Sequence, residues 1–271
     1  MFLNRRLASS LREAESPRHL GSETEATGTM NSMNKALLRR LGITKRHPWL
    51  LKFQKAQRSL LGTDAKLRKQ YFQSAKYPKL HLGCSKHLLD GWLNTDLFPA
   101  RDVMQLDATA RYPFESNSFD FIFTEHMIEH IPYPAAITLL CECYRVLKPG
   151  GVIRVATPDL AKILNIYPQP KDELGQKYLN WMSGKFTPDV TEDHAAHVVN
   201  AFFRLWGHQF LYDGPTLTTT LVKCGFSSIE KFELGMSKHA DLQNLENTSR
   251  YPQGLLNYES ICLEATKMSL R

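Results

Sequence analysis

The side chains best suited to acid–base or metal chemistry in this sequence fall in two histidine-containing stretches. The first, TEHMIEH, places His126 and His130 four residues apart, on one face if the segment is helical. Such a pair can ligate a metal, but Met127 stands where the HExxH zinc motif has its glutamate. We therefore predict no metal site. His126 is expected to orient a substrate or accept a proton, and Glu129 and His130 to cap or tie the following helix.

The second stretch is DHAAHVVNAFFRLWGHQFLYD, which begins at Asp193. His194 and His197 are three residues apart, and the surrounding pattern favours one polar face of a helix over metal ligation. Asp193 and His208 are further candidates for a general base if a hydroxyl proton must be removed. Four side chains could form a wall for the substrate: Arg204, Trp206, His208 and Tyr212. The aromatic residues among them could equally belong to the core.

Polar residues also follow a series of short apolar runs. KLHLGC reaches Gly83, GWLNTDL reaches Asp96, DVMQLDA reaches Asp107, and FDFIFTEHM reaches Glu125 and His126. The near-continuous apolar character of the last run is typical of a strand buried on both faces. Ligands of open α/β sheets bind at the carboxyl ends of parallel strands. We therefore expect these four points to face one crevice.

The order of the elements predicts a parallel sheet covered by helices. After the fourth strand, YPAAITLLCECYRVLKPGG has apolar residues at helical spacing and a stop at Pro149-Gly150-Gly151. VIRVATP reads as a fifth strand, and Asp159 can cap a helix over LAKILNIY. A helix over TLTTTLVKCGF, ended by Gly225, precedes strands over SIEKFEL and YESICLEATK.

This ordered set of segments resembles the class I S-adenosylmethionine-dependent methyltransferases. The segments are LHLGCS, GWLNTD, LDA, YPFESNSFDFIFTEHMIEHI and VLKPGGVIRVATPDL, and the resemblance covers about residues 79–165 strongly. It is similar to a bacterial group of predicted methyltransferases with GWxNxD and EHxxEH segments. The resemblance implies an α/β, Rossmann-like, seven-stranded and mostly parallel sheet, with helices on both faces and the last strand antiparallel.

The resemblance also implies which residues bind S-adenosylmethionine, which leaves as S-adenosylhomocysteine. Gly83 matches the first loop glycine, which lets the backbone approach a ligand closely. Asp96 would accept from the ribose hydroxyls, Asp107 from the adenine amino group, and Ala108 would donate to the ring. The full expected set is Leu82, Gly83, Cys84, Ser85, Asp96, Asp107, Ala108, Thr124, Glu125 and His126. His81 replaces the acid of the usual loop, so Glu125 or a backbone carbonyl could take its contact with the cofactor's amino group.

Composition fits one large α/β domain with an appendage, since the 271 residues are 42% apolar and 23% charged. We predict a disordered tail over 1–33, a basic helical arm over 34–78 and a methyltransferase domain over 79–271, with a substrate-binding insertion at about 169–212. Between Lys35 and Lys79, thirteen Lys or Arg residues stand against the single acid Asp64. The arm either meets an anionic partner or forms solvated helix faces.

The five cysteines have no CxxC pair, which predicts reduced thiols in a cytoplasmic protein. No apolar run is long enough to span a bilayer, and no signal peptide is recognisable.

The predicted function is transfer of a methyl group to a small-molecule or carbohydrate-like acceptor, in the EC 2.1.1 class. One alternative is an RNA methyltransferase recruited by the basic arm, although the chain lacks the Asn/Asp-Pro-Pro-aromatic segment of base N-methylating relatives. Another is a non-catalytic cofactor-binding module, suggested by the poor glycine loop. An NAD-dependent dehydrogenase would need closely spaced glycines for the pyrophosphate, which HLGCSK lacks.

Overall fold

A computed structural model describes residues 48–167, 172–186 and 195–268. The predicted tail, the first part of the basic arm, Asp193 and His194 lie outside the described residues. The strands are β1 (Lys79–Leu82), β2 (Leu93–Asp96), β3 (Met104–Gln105), β4 (Phe119–Glu125), β5 (Leu147–Pro158), β6 (Phe226–Phe232) and β7 (Ser260–Lys267). The α-helices are α1 (Pro48–Leu60), α2 (Thr63–Ser74), α3 (Tyr133–Val146), α4 (Leu160–Leu164), α5 (Glu173–Phe186), α6 (Ala195–Arg204), α7 (Gly214–Lys223) and α8 (Leu255–Glu259).

The seven strands form one sheet in the order β3-β2-β1-β4-β5-β7-β6. Strands β1 to β5 run parallel, whereas β7 is antiparallel to both β5 and β6. The predicted Rossmann-like sheet with an antiparallel last strand is therefore confirmed. The chain leaves β1 in one direction towards β2 and β3, then returns to β4 on the other side. This reversal is where such sheets bind ligands.

The centre of the sheet is fully buried because its strands are apolar on both faces. Leu80 and Leu82 on β1, and Ile122 and Phe123 on β4, have no exposed surface. Leu82 pairs with Thr95 on one side and Thr124 on the other. This register brings the residues that follow β1, β2 and β4 to the same edge.

Several predicted boundaries need correction. Helix α3 ends at Val146, not at Pro149-Gly150-Gly151, and β5 begins at once with Leu147. The glycines serve strand packing, since a Cβ on Gly151 would lie 2.9 Å from the backbone oxygen of Asp120. Strand β3 ends at Gln105, so Asp107 lies in the turn that follows. The cap on α4 is confirmed, because the Asp159 side chain accepts a hydrogen bond from the Ala161 N–H.

Helices α1 and α2 lie within the predicted basic arm and contact the edge of the sheet. Arg58 donates to the Val103 carbonyl oxygen at 2.7 Å and pairs with Asp64. Asp64 in turn accepts from the Gln105 N–H at 2.8 Å, and Arg68 donates to the Pro113 carbonyl. Part of the arm's positive charge is thus used inside the fold. Among the described residues, no helix has the length and apolar character needed to cross a membrane.

The region of the predicted insertion contributes a second, smaller core beside the sheet. Helices α5 and α6 bury Tyr178, Val198 and Phe202 against Ile163 and Leu255. Phe203, on the other face of α6, is exposed. Some of the aromatic residues of this region therefore belong to a core, which is one of the two roles that the sequence analysis allows them.

Candidate functional site

The loop after β1 is held in a conformation that requires glycine. Gly83 has a φ of +71°, and a Cβ there would lie 2.5 Å from Cγ of Met127. The Cys84 N–H donates to the Thr95 carbonyl at 3.0 Å, and the Ser85 N–H donates to the Asp96 carboxylate at 2.9 Å. The loop is thereby fastened to β2. Its backbone is close-packed where the cofactor's amino-acid end is expected.

Asp96 lies at the end of β2 with its carboxylate oriented by backbone donors. One oxygen accepts from the Phe98 N–H at 2.8 Å and the other from the Ser85 N–H at 2.9 Å. The residue is half-buried. An ionised carboxylate has about four acceptor positions, so two hydroxyl donors can still be bound. This geometry fits a ribose diol.

Asp107 lies on the wall of a cavity of about 430 Å³ between the sheet edge and helices α1 and α2. One carboxylate oxygen accepts from the N–H and hydroxyl of Thr109, at 2.9 and 2.7 Å. Leu97 and Leu106 form apolar walls of the same cavity. An adenine ring would find apolar walls and an oriented carboxylate here, beside charged side chains of the same cavity such as Arg58, Asp64 and Arg68. The Ala108 carbonyl accepts from the Tyr112 hydroxyl.

The β1 loop lacks its usual acid, and His81, which stands at that position, does not take over its role. His81 is buried and donates to the Asn94 side-chain oxygen at 3.0 Å. Burial lowers the pKa of His81 to about 4, so its neutral ring has a packing role. The carboxylate at this edge of the sheet is Glu125, which is buried and accepts from Arg250 at 2.9 Å and from the Asn247 N–H at 3.1 Å.

Two further expected residues follow the same strand end. Thr124 is buried, and its hydroxyl has no hydrogen-bond partner among the described residues. His126 has a φ of +47°, with Nε2 3.2 Å from the Ser260 hydroxyl and Nδ1 3.5 Å from Glu129. Burial lowers the pKa of His126 to about 3. The imidazole is therefore neutral at physiological pH.

Glu129 does not cap the following helix, which corrects the prediction. Helix α3 begins after Pro132 without a side-chain cap. Glu129 is fully buried, with one carboxylate oxygen accepting from the Thr157 hydroxyl at 3.0 Å. The other oxygen, Oε1, has no hydrogen-bond partner in the part of the chain that the structure describes. Burial raises the pKa of Glu129 to about 8. From the sequence, Glu129 has only a role at the following helix and is not included in the candidate site, although it lies in the EHxxEH segment.

The segment after α6 is fastened to the same place. The backbone carbonyl of Glu129 accepts from the N–H groups of Gln209 and Phe210, at 2.7 and 3.1 Å. Trp206 and Gly207 have positive φ values of 58° and 78°, which turn the chain just before His208. The His208 ring then lies 4.9 Å from the His130 ring, centroid to centroid. The two histidine-containing stretches of the sequence thus meet.

The other three residues of the predicted substrate wall, Arg204, Trp206 and Tyr212, lie in different surroundings in the structure. Arg204 is exposed at the end of α6. Tyr212 is buried in the main core, and its hydroxyl has no hydrogen-bond partner among the described residues. Trp206 packs 5.4 Å from the His208 ring. The structure therefore brings His208 to the fourth-strand segment and packs Trp206 against His208, whereas Arg204 is exposed.

Comparison with known families adds one decisive observation. Residues 85–155 match the family model described as a methyltransferase domain. This segment is therefore similar to a methyltransferase domain. The match confirms the resemblance to class I S-adenosylmethionine-dependent methyltransferases and S-adenosylmethionine as their cofactor. It includes Asp96, Asp107 and His126 but stops short of Gly83 and His208.

Individual proteins are similar over shorter or weaker alignments. A ubiquinone biosynthesis O-methyltransferase of Nitrosococcus oceani is 36% identical over 56 residues, covering 21% of this chain and 23% of that protein. The chain thus matches about a quarter of that curated relative. A SAM-dependent methyltransferase of Archaeoglobus fulgidus aligns at 16% identity and a TM-score of 0.40, over 82% of this chain and all of that one. Phosphoethanolamine N-methyltransferase 2 of Haemonchus contortus aligns at 15% identity and a TM-score of 0.37, over 77% of this chain and 53% of that one.

Proposed function

We propose that this protein transfers a methyl group from S-adenosylmethionine to a small-molecule or carbohydrate-like acceptor. The observation that carries the proposal is the convergence of four polar points at one edge of the sheet. Gly83 and Asp107 follow β1 and β3, and Asp96 and Glu125 are the last residues of β2 and β4. These strands are neighbours in the order β3-β2-β1-β4. This is the edge at which an open α/β sheet binds its ligand.

Each of these residues has a proposed part in holding the cofactor. The loop from Leu82 to Ser85 would receive the amino-acid end, Asp96 the ribose, and Asp107 with Ala108 the adenine. Thr124 and Glu125 would lie beside the methionine portion. There the Glu125 carboxylate, which also accepts from Arg250, would accept a hydrogen bond from the cofactor's ammonium group. The bound sulfonium supplies an electrophilic methyl group. The protein's contribution is then alignment of the acceptor with that methyl group.

The acceptor side of the proposed site is formed by His126 and by His208. The bound cofactor would supply the methyl group to a lone pair of the acceptor there, and its sulfur would leave as a neutral thioether. A hydroxyl acceptor also releases a proton, for which His126 and His208 are the proposed acceptors. Burial lowers the pKa of both imidazoles, so both are neutral before the reaction. Asp193, the third proposed base, lies outside the described residues.

Calorimetric titration tests the cofactor half of the proposal. The full chain is titrated with S-adenosylmethionine, with S-adenosylhomocysteine and with NAD as the control. We expect micromolar binding of the first two and none of NAD. Binding of NAD alone, or of no nucleoside at all, would overturn the proposal.

Transfer of a labelled methyl group tests the acceptor half. Label is expected in a carbohydrate or small-molecule fraction and not in RNA. Label in RNA, with salt-dependent retention of the protein on RNA, would replace the acceptor class by the alternative in which the basic arm recruits RNA. Cofactor binding without label in any fraction would favour the non-catalytic module. The domain boundaries and the cytoplasmic location stay predictions from the sequence.

A further inference from the structure

Three side chains from the two histidine-containing stretches could hold a cation together. Glu129, His130 and His208 each offer one ligand atom, and these atoms lie within 4.8 Å of one another. We propose that they form a binding site for a divalent transition metal of the zinc type. Two imidazoles and one carboxylate are a ligand set that zinc accepts in catalytic sites. The inference concerns metal binding alone and does not depend on the proposed methyl transfer.

The carboxylate of Glu129 is the first support. Its side chain has no exposed surface, and Oε1 has no hydrogen-bond partner among the described residues. The nearest imidazole nitrogens are those of His126 at 3.5 Å and His130 at 3.9 Å. A buried carboxylate oxygen without a donor costs free energy. A bound cation would supply the missing partner.

The orientation of His208 is the second, independent support. Its Nδ1 donates to the Phe202 carbonyl at 2.7 Å, so the other ring nitrogen, Nε2, keeps its lone pair. This is how metal-ligating histidines are normally held, with one nitrogen bonded to a carbonyl and the other on the metal. The turn at Trp206 and Gly207 and the two backbone bonds to Glu129 fix the position of the segment.

Access to the site comes from the His130 side. The His130 side chain is 34% exposed, whereas that of Glu129 is 0% exposed. Ligand atoms bound to one zinc ion at about 2.0–2.1 Å lie roughly 3.3–3.5 Å apart in a tetrahedron. The three ligand atoms, which lie within 4.8 Å of one another, would therefore move closer together on binding the ion. A fourth position would remain for water.

Zinc binding to the full chain tests the inference. The protein is treated with a chelator, dialysed and titrated with zinc alone in competition with a chromophoric chelator, and cobalt is used in parallel for its visible absorption. We expect one site of micromolar or tighter affinity. His208→Gln and His130→Gln should each weaken it at least about tenfold and abolish the cobalt absorption. His239→Gln, at an exposed histidine outside the cluster, is the matched control.

Thermal unfolding with and without zinc guards against a variant that merely misfolds. Zinc should raise the unfolding temperature of the wild type and of His239→Gln but not of His208→Gln or His130→Gln, because only ligands of the folded state stabilise it. Wild-type affinity in both ligand variants would show adventitious binding elsewhere and overturn the inference. So would the absence of a saturable site in the wild type. Neither outcome would bear on S-adenosylmethionine binding.

Discussion

The two halves of the candidate site are built in different ways. On one side, Gly83, Ser85 and Asp96 make a partly exposed loop whose contacts are backbone N–H groups on an oriented carboxylate. On the other side, His126 and Glu129 are buried side chains whose pKa values are shifted in opposite directions, to about 3 and about 8. The first half suits a ligand of fixed shape. The second half suits proton transfer or the binding of a cation.

The difference reflects how each half is encoded. The loop needs only a glycine and a strand-end acid, so a short sequence is enough to form it. The buried half needs donors and acceptors from β5, β7 and the turn after α6. A change in the first half should act on a single contact, whereas a change in the second should alter protonation as well. Four substitutions test this distinction.

Gly83→Ala should have the largest effect on stability. The alanine would have to adopt the left-handed backbone conformation of Gly83. Its Cβ would also lie 2.5 Å from Cγ of Met127. We expect the free energy of unfolding to fall by about 2–5 kcal/mol, from strain and overpacking together. Chemical denaturation measures it.

Gly91→Ala is the matched control for this change. Gly91 has a similar φ of +75°, but a Cβ there meets nothing within 4 Å. It should cost only the conformational strain of about 1–2 kcal/mol. Equal losses in the two variants would mean that close packing of Met127 on the loop is unimportant.

Asp96→Ala should weaken S-adenosylmethionine binding by about 10–100-fold, because hydrogen bonds to a charged group contribute roughly 1.5–3 kcal/mol. Calorimetry measures the dissociation constant, and circular dichroism checks the fold. Asp102→Ala, at an exposed carboxylate before β3, should leave the affinity unchanged. An Asp96→Ala protein that binds like the wild type would remove Asp96 from the cofactor site.

Glu259→Gln should flatten the pH dependence of stability. Glu259 is buried, accepts from the Tyr178 and Tyr251 hydroxyls, and has its pKa raised by burial from 4.5 to about 7. Between those values the folded state binds more protons than the unfolded state, so this residue makes stability fall as pH rises, by up to about 1.4 kcal/mol per pH unit. The variant should lose that contribution.

Denaturation at several pH values from 4.5 to 7.5, in the presence of a chelator, measures this contribution. Glu115→Gln, at an exposed carboxyl, should keep the wild-type profile. A Glu259→Gln profile identical to the wild type would show that Glu259 ionises in the folded protein as it does in the unfolded chain.

Arg250→Ala should have the smallest effect. Its side chain is 44% exposed where it pairs with Glu125, and the Asn247 N–H remains on the same carboxylate. We expect the free energy of unfolding to change by about 1 kcal/mol or less. Lys238→Ala, which removes the exposed pair with Glu230, is the comparison. A loss far above that of Lys238→Ala would mean that Glu125 depends on the guanidinium.

Much of the fold could be predicted from the sequence because its signals are local. Apolar runs over β1, β2 and β4, the Asp159 cap and the helical spacing after Tyr133 each lie within a few consecutive residues. Boundaries were less accurate where tertiary packing prevails. The sequence predicts that the glycines after α3 stop the helix, yet Gly151 lies against the Asp120 backbone on a neighbouring strand.

The sequence by itself determined the first strands and the positions of Gly83, Asp96, Asp107 and His126 at or just after the strand ends, since hydrophobic periodicity and turn residues act over short range. The seven-stranded sheet was implied by the resemblance, and the order of its strands came from the structure. Only the tertiary structure decided what surrounds Glu129. Its hydrogen-bond partners Thr157 and Gln209 and the nearby His208 come from segments far apart in the chain, and burial is what raises its pKa. Local patterns carry no information on which distant side chains will share one buried space.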